Sequence, residues 1–195
     1  HVVCRRQRQM CIRDSFDVVT YTGTGSARTV SHNLGAAPEM IWVKARSHIV
    51  NWVVYHKDLS AGQYLMLNKT NAVDTNSAYF TTTAPTSSVF SIGVGEYTNQ
   101  SSSHTYVAYL FGTVAGVSKV GSFNYTSGSA QNIDCGFSSG ARFVLYKRYS
   151  GTSAWTLFDT TRGIVAGNDP MLALNTTSAQ AVSYTHLRAH ETDYY

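Results

Sequence analysis

The sequence predicts an all-β protein made of antiparallel β-sandwich units that are internally duplicated, with the second unit truncated. Three observations predict this class. Short runs rich in Val, Ile, Tyr, Phe, Trp and Thr are bounded by Gly, Asn, Ser and Pro, which is typical of strands and turns. No window holds a helical period of apolar residues. Two long segments of the chain match one another at a nearly constant spacing, which indicates a duplicated unit.

The two ends of the chain are predicted to have a different origin from the strand-forming part. Residues 10–15 can be encoded by ATG TGT ATA AGA GAC AG, and the reverse complement of that string encodes residues 182–186 while completing the codon of Ala181. One short DNA element in opposite orientations accounts for both ends, and it resembles the transposon end used in tagmentation libraries. We therefore expect residues 1–15 and 182–195 to be adapter-derived and not part of the native fold.

Charge and cysteine content change once these ends are removed. The chain has 15 basic and 11 acidic residues, and removing the five arginines and three acidic residues of the end segments leaves ten and eight. This balance indicates neither nucleic acid nor a membrane surface as a partner, and no apolar run approaches a membrane span. Cys135 is the one remaining cysteine, which excludes an intramolecular disulfide or a Cys-based zinc site and predicts a buried, inert thiol.

The repeat divides the chain into two units. The matched ranges are Met40–Lys44 with Phe143–Lys147, Asn51–Tyr55 with Ala154–Phe158, and Leu65–Asn68 with Leu172–Asn175. They align two lysines and two tryptophans. We predict a first β-sandwich unit at 16–114 and a second, incomplete unit at 115–181, since the first continues through two further apolar strands that the second lacks. A unit that lacks strands exposes an unpaired edge.

The predicted strands follow the apolar runs in order. They are Asp17–Tyr21, Arg28–Ser31, Met40–Ala45, Trp52–His56, Tyr64–Leu67, Val89–Ile92, Thr105–Phe111, Val120–Tyr125, Asn132–Asp134, Arg142–Lys147, Trp155–Phe158 and Met171–Leu174. Glycine-bearing loops such as Thr22–Gly25 separate them. The Met40–Val43 and Phe143–Tyr146 strands are apolar on both faces, so we expect both to lie inside a sandwich.

Five of these segments resemble a module that is repeated in tail-fibre-like proteins of tailed phages. The segments are Thr20–Pro38, Met40–Lys44, Asn51–His56, Thr86–Gly93 and Tyr106–Phe111. The resemblance covers nearly all of 16–181, and its motifs are structural rather than catalytic. It implies an extracellular virion component near the host-binding end of a fibre. The implied partners are other virion tail proteins, two further copies in a homotrimer, and a host cell-surface glycan or protein.

The motifs of known chemistry are missing from the sequence. The four histidines between the end segments, His32, His48, His56 and His104, have no metal-ligand spacing, so we interpret them as hydrogen-bonded structural residues. No nucleophile elbow accompanies the many serines, Gly23-Thr24-Gly25 is not a phosphate loop, and the carboxylates are scattered singly. We expect no catalytic residue, no metal, no cofactor and no enzymatic activity.

Receptor-binding residues are not assigned by any motif. Trp52, Trp155, Tyr55 and Phe158 are either sugar-stacking residues or, as their recurrence favours, core aromatics. The better candidates for ligand contacts are three variable loops, Ala45–Asn51, Lys69–Tyr79 and Tyr97–His104, because binding residues concentrate on loops. The alternative function is an extracellular carbohydrate-binding module attached to an enzyme, which a hydrolase domain in the same reading frame would reveal.

Overall fold

The computed structural model describes residues 14–126, 131–163 and 169–183. Twelve strands run through these residues, and every pairing between them is antiparallel, which confirms the predicted all-β, antiparallel class. The strands are β1 Phe16–Thr22, β2 Arg28–Ser31, β3 Met40–Ala45, β4 Val53–His56, β5 Gln63–Met66, β6 Asp74–Thr75, β7 Val89–Ile92, β8 Thr105–Phe111, β9 Phe143–Tyr146, β10 Thr156–Asp159, β11 Asp169–Ala173 and β12 Ala181–Ser183.

The chain forms two compact units. Of the described residues, the first unit comprises 14–67 together with Val73–Gly121, and the second comprises Asn68–Ala72 and the described part of 122–183. The boundary after residue 114 that the sequence suggests stays a prediction. Most of the two end segments, residues 1–13 and 184–195, lies outside the described residues.

The first unit is a sandwich of unequal sheets. A six-stranded sheet has the order β1-β8-β3-β4-β5-β6, and β2 and β7 form a two-stranded sheet. Side chains from both sheets build one core, as expected when two antiparallel sheets pack face to face. The buried members are Val30, Leu34, Ile41, Val43, Ala45, Val53, Tyr64, Phe80, Phe90, Ile92, Tyr106, Ala108 and Leu110.

Burial alternates along the strands of the large sheet. On β3, Ile41 and Val43 are fully buried in the core, whereas Met40 and Trp42 on the opposite face are half-buried. The Trp42 ring packs on Phe111 of β8 with 4.6 Å between ring centroids. The expectation that β3 is buried on both faces is therefore wrong for its outer face, which aromatic neighbours cover only in part.

The second unit repeats a part of the first. Its sheet has the order β12-β11-β10-β9. On β9 and β10, Phe143 lies opposite Asp159, as Met40 lies opposite His56 on β3 and β4. The four residue pairs between β9 and β10 are the counterparts of the four pairs between β3 and β4, so the structure confirms the internal duplication.

Several sequence predictions fail in the second unit. Val120–Tyr125 and Asn132–Asp134 are not strands, whereas β12, and also β6 in the first unit, are strands that the sequence did not predict. In the first unit the corresponding strands β1 and β2 pair with β8 and β7, and no counterpart of β7 or β8 is among the described strands of the second unit. Without a ladder partner a segment cannot satisfy its backbone groups as a strand.

The β9 strand also departs from its prediction. Phe143 is 56% exposed and Tyr146 is 37% exposed, so β9 is not enclosed in a sandwich. Nothing among the described residues pairs with its second edge. The same sequence pattern therefore has different burial in the two units because the neighbouring strands differ.

A candidate binding surface at the loop end

Three loops of the first unit meet at one end of the large sheet. They are the loops 23–27, 46–52 and 93–104, and we call this region the loop end. β1 and β3 end there, and β4 and β8 begin there. The loops are joined by backbone bonds: the Gly23 N–H donates to the carbonyl of His104 at 2.8 Å, and the Arg46 N–H donates to that of Thr105 at 2.7 Å.

Asn99 holds two of these loops together. Its side chain is fully buried. Its Oδ1 accepts from the Thr24 N–H at 2.7 Å, and its Nδ2 donates to the carbonyls of Ser26 at 2.6 Å and Gly93 at 2.8 Å. Because the Asn99 amide makes all three hydrogen bonds, its burial costs little desolvation free energy. The amide thereby fixes the positions of loops 23–27 and 93–104. The sequence analysis missed Asn99, because a single Asn in a polar loop also fits an ordinary turn.

Thr98 connects the same loop to the core. The side chain is fully buried, and its Oγ1 donates to the Tyr79 carbonyl at 3.1 Å. Its own carbonyl accepts from the Tyr21 hydroxyl at 2.8 Å. Burial raises the pKa of Tyr21, so this hydroxyl stays protonated and remains a donor. The backbone of the loop is thereby tied to β1 and to the segment before β7.

Three tyrosines pack beside this loop, and we call Tyr64, Tyr79 and Tyr97 the tyrosine cluster. The rings of Tyr79 and Tyr97 are stacked, with centroids 4.5 Å apart and planes at 15°. Tyr64 meets Tyr79 edge to face at 4.9 Å. Burial, followed by the effect of Tyr97, raises the pKa of Tyr79 to about 12, so its hydroxyl is protonated at neutral pH.

Polar groups border the tyrosine cluster. Asn51 Nδ2 donates to the Tyr97 hydroxyl at 3.3 Å, which joins loop 46–52 to the cluster. The Tyr64 hydroxyl donates to Asp74 Oδ2 at 3.0 Å. Burial and, after it, this carboxylate raise the pKa of Tyr64. Aromatic faces, phenol hydroxyls, an amide and a carboxylate therefore lie close together at this end of the unit.

A pair of histidines lies in the same region. The rings of His48 and His104 stack with centroids 4.0 Å apart, and the Tyr106 ring meets His48 edge to face at 5.9 Å. Ser101 Oγ lies 3.3 Å from His104 Nδ1. Both histidines are half-buried, whereas the neighbouring Ile49 is fully exposed at the tip of its loop. Among the described residues no group of three or more His, Cys, Asp or Glu is placed to hold a metal ion.

The structure brings together two of the three loops that the sequence analysis selected. Ala45–Asn51 and Tyr97–His104 meet at the loop end through the His48–His104 stack. Of Lys69–Tyr79, Asp74 and Tyr79 take part, through the bond from Tyr64 to Asp74 and the stack of Tyr79 on Tyr97. Asn68–Ala72 belongs to the second unit.

The four recurring aromatic residues lie in different surroundings within their own units. Trp52 stacks on Tyr109 at 6.0 Å, and Tyr55 packs on Phe80 of the core at 5.7 Å. Trp155 and Phe158 are buried in the second unit, as the core interpretation predicts. Cys135 is half-buried, which corrects the expectation of a buried thiol.

The other two histidines are hydrogen-bonded. His32 Nε2 lies 3.1 Å from the Thr86 carbonyl, and its Nδ1 accepts from the Leu34 N–H at 3.3 Å. His56 Nδ1 accepts from the Asp58 N–H at 3.2 Å. Burial is the main cause that lowers the pKa of both rings. This is the structural role that the sequence analysis gives them.

Comparison with known proteins places the chain in a family. Residues 11–190 match a family described as Domain of unknown function (DUF7483). The chain belongs to the DUF7483 family. The matched range includes both units and parts of the two end segments, 11–15 and 182–190. No curated protein and no solved structure matches the chain significantly. Within the described residues, no helix has the length and apolar character needed to cross a membrane.

Proposed function

We propose that this chain is a non-enzymatic structural module of a phage tail-fibre-like virion protein, and that its loop end binds a glycan on the host cell surface. The resemblance of Thr20–Pro38 and the other four segments to tail-fibre modules supports the virion assignment. Antiparallel, duplicated β units suit a part that spaces domains along a fibre. The resemblance also supports an extracellular location, other tail proteins as neighbours, and a homotrimer.

The observation that carries the binding proposal is the tyrosine cluster, which borders the loop end through Tyr97 and its bond to Asn51. A sugar ring presents an apolar C–H face and a rim of hydroxyls, so it is recognised by aromatic faces bordered by planar polar groups. Tyr79 and Tyr97 supply the rings, while Asn51 and Asp74 supply an amide and a carboxylate beside them. Ligand sites commonly combine aromatic side chains with a few placed polar groups on rigid scaffolds.

The anchoring of the loops supports the same conclusion. Asn99 and Thr98 fix the loop 93–104 by buried hydrogen bonds, so the aromatic rings are held before a ligand arrives. A preorganised site loses less conformational entropy on binding than a mobile one.

A glycan array probed with the labelled full chain tests this proposal. We expect binding to one class of glycan, and Tyr97→Ala should weaken it by about tenfold or more because the stack and the bond to Asn51 are both lost. Tyr125→Ala is the matched control, since Tyr125 is largely exposed in the second unit. Its affinity should equal that of the unaltered chain. Failure of the array to show any bound glycan, or equal loss in both variants, would contradict the proposal.

Genomic neighbours separate this function from that of a carbohydrate-binding module on an enzyme. Both functions use the same loop-end chemistry, so glycan binding alone does not distinguish them. We expect baseplate and tail-assembly genes beside the gene for this chain. A hydrolase domain in the same reading frame would support the enzyme-linked module instead.

A further inference from the structure

The β9 strand lies at a sheet edge, although its counterpart in the first unit is central. In the first unit, β3 pairs with β8 on one side and with β4 on the other. In the second unit, β9 pairs with β10, and the described residues supply no strand for its other side. The duplication therefore defines which kind of strand this edge would accept.

The hydrogen bonds of the two hairpins have the same phase. The Lys57 N–H donates to the Glu39 carbonyl at 2.8 Å, and the Thr160 N–H donates to the Arg142 carbonyl at 3.0 Å. Glu39 lies one residue before β3, and Arg142 lies one residue before β9. Backbone groups point alternately to either side of a strand. The N–H and C=O groups of Phe143 and Leu145 consequently point away from β10, towards the open edge.

The side chains of β9 are exposed where those of β3 are covered. Val43 is fully buried and lies opposite Ala108 of β8. Its counterpart Tyr146 is 37% exposed, and Phe143, at the other end of β9, is 56% exposed. An edge strand with unpaired backbone groups and apolar side chains is a template for pairing with another strand.

We propose that the open edge of β9 binds an extended polypeptide strand that has the side-chain alternation of β8, in the antiparallel register that β8 adopts on β3. That register places a Phe111-like residue opposite Phe143 and a Tyr109-like residue opposite Leu145. It also places an Ala108-like residue opposite Tyr146, where a small side chain leaves space for the ring. The partner is thus a strand in which an alanine lies between larger apolar or aromatic residues. Binding by strand addition takes its affinity from backbone hydrogen bonds and its specificity from alternate side chains.

Peptides copied from β8 provide a direct test with the full chain. The Thr105 carbonyl accepts from the Arg46 N–H and the Phe111 carbonyl accepts from the Glu39 N–H, the two residues that flank β3. The odd-numbered residues of β8 therefore face β3. A fluorescent peptide with the sequence His104–Thr113 should bind saturably by anisotropy. N-methylation of Val107 and Tyr109 should weaken binding by about tenfold or more, because it removes N–H groups that face β9. N-methylation of Tyr106 and Ala108, which face away, should change affinity less than about twofold.

Hydrogen exchange locates the bound strand. The Leu145 amide should become protected when the unmodified peptide binds, whereas the Val144 amide faces β10 and should already be protected. Leu145→Pro should abolish peptide binding, and the exchange result does not depend on that variant folding. No peptide binding, or equal binding of the two methylated peptides, would overturn the proposal. Dimerisation of the chain through β9 would also overturn the proposal if the peptide did not compete with it. The strand that occupies the edge would then belong to a second copy of the chain.

Discussion

Lys44 and Lys147 make the same hydrogen bond in the two units. Lys44 Nζ donates to the Val50 carbonyl at 2.8 Å, and Lys147 Nζ donates to the Ser153 carbonyl at 2.5 Å. Each bond closes the loop between the two strands of a repeated hairpin. The two lysines aligned by the sequence repeat therefore have the same structural role, since each ammonium donates to the carbonyl of a loop residue outside the strands.

Replacing either lysine by methionine should destabilise its own unit. A hydrogen bond to a charged group contributes about 1.5–3 kcal/mol, and Met preserves most of the apolar stem. We expect Lys44→Met and Lys147→Met each to lower the free energy of unfolding by about 1–3 kcal/mol in urea denaturation. Lys119→Met, at an exposed lysine, is the control and should have little effect. Equal stability of all three variants would show that the paired bonds contribute nothing.

Asn99→Ala should destabilise the first unit and loosen the loop end. The variant leaves the Thr24 N–H and the Ser26 and Gly93 carbonyls without their partner. Of these three groups the Gly93 carbonyl is buried, and a buried polar group that is left unsatisfied costs about 1–3 kcal/mol. Urea denaturation should show a loss of about 2–4 kcal/mol, and amide exchange should accelerate across residues 93–104. The exposed Asn71→Ala serves as a control. Unchanged exchange in this loop would disprove the anchoring role of Asn99.

Gly93→Ala should be poorly tolerated, because the backbone approaches closely at this position. A Cβ there would lie 2.5 Å from the Ala78 carbonyl oxygen, which is backbone and cannot rotate away. Forcing such a contact costs about 1–3 kcal/mol. Gly121→Ala is the matched control, since no atom lies within 4 Å of its added Cβ. Thermal unfolding of both variants measures the difference. A melting temperature as low for the control as for Gly93→Ala would point to a cause other than the contact.

Stability should decrease on mild acidification, in part through His32. Burial lowers the pKa of this ring from its ordinary value of 6.5. The folded chain then holds a neutral ring at a pH where the unfolded chain takes up a proton. The folded chain therefore has its full stability above about pH 6.5, and its free energy of unfolding decreases as the pH falls below that value. His56 has the same direction of shift and adds to the effect.

Removing the titrating ring tests this linkage. His32→Gln should reduce the loss of unfolding free energy between neutral pH and about pH 5, compared with the unaltered chain. His56→Gln should reduce it separately, because the two rings lie on different elements. Urea denaturation at several pH values gives the comparison. A pH dependence that neither variant alters would refute the assignment to these histidines.

The sequence predicts the local elements of the first unit well. Alternating apolar residues set the bounds of β2, β3, β7 and β8, since a strand with one face in the core must alternate. The repeat also predicted the second hairpin, because β9 and β10 pair with residues near in sequence. These features depend on short-range patterns that a single sequence carries.

Features that depend on distant partners could not be predicted in the same way. Val120–Tyr125 has a strand-like composition, but a strand also needs a neighbour, and composition does not name one. The burial of Asn99 and the His48–His104 stack arise because loops far apart in sequence converge at one sheet end. Two of the variable loops chosen from the sequence lie at the loop end. The buried residues that anchor these loops became apparent only from the fold.

Hydrogen exchange of the full chain with a glycan identified on the array tests the central claim most directly. We expect slower exchange of the backbone amides in residues 46–52 and 93–104, with little change in the second unit. Protection confined to the second unit, or to the outer face of the large sheet around Trp42, would contradict the assignment of the loop end as the binding surface.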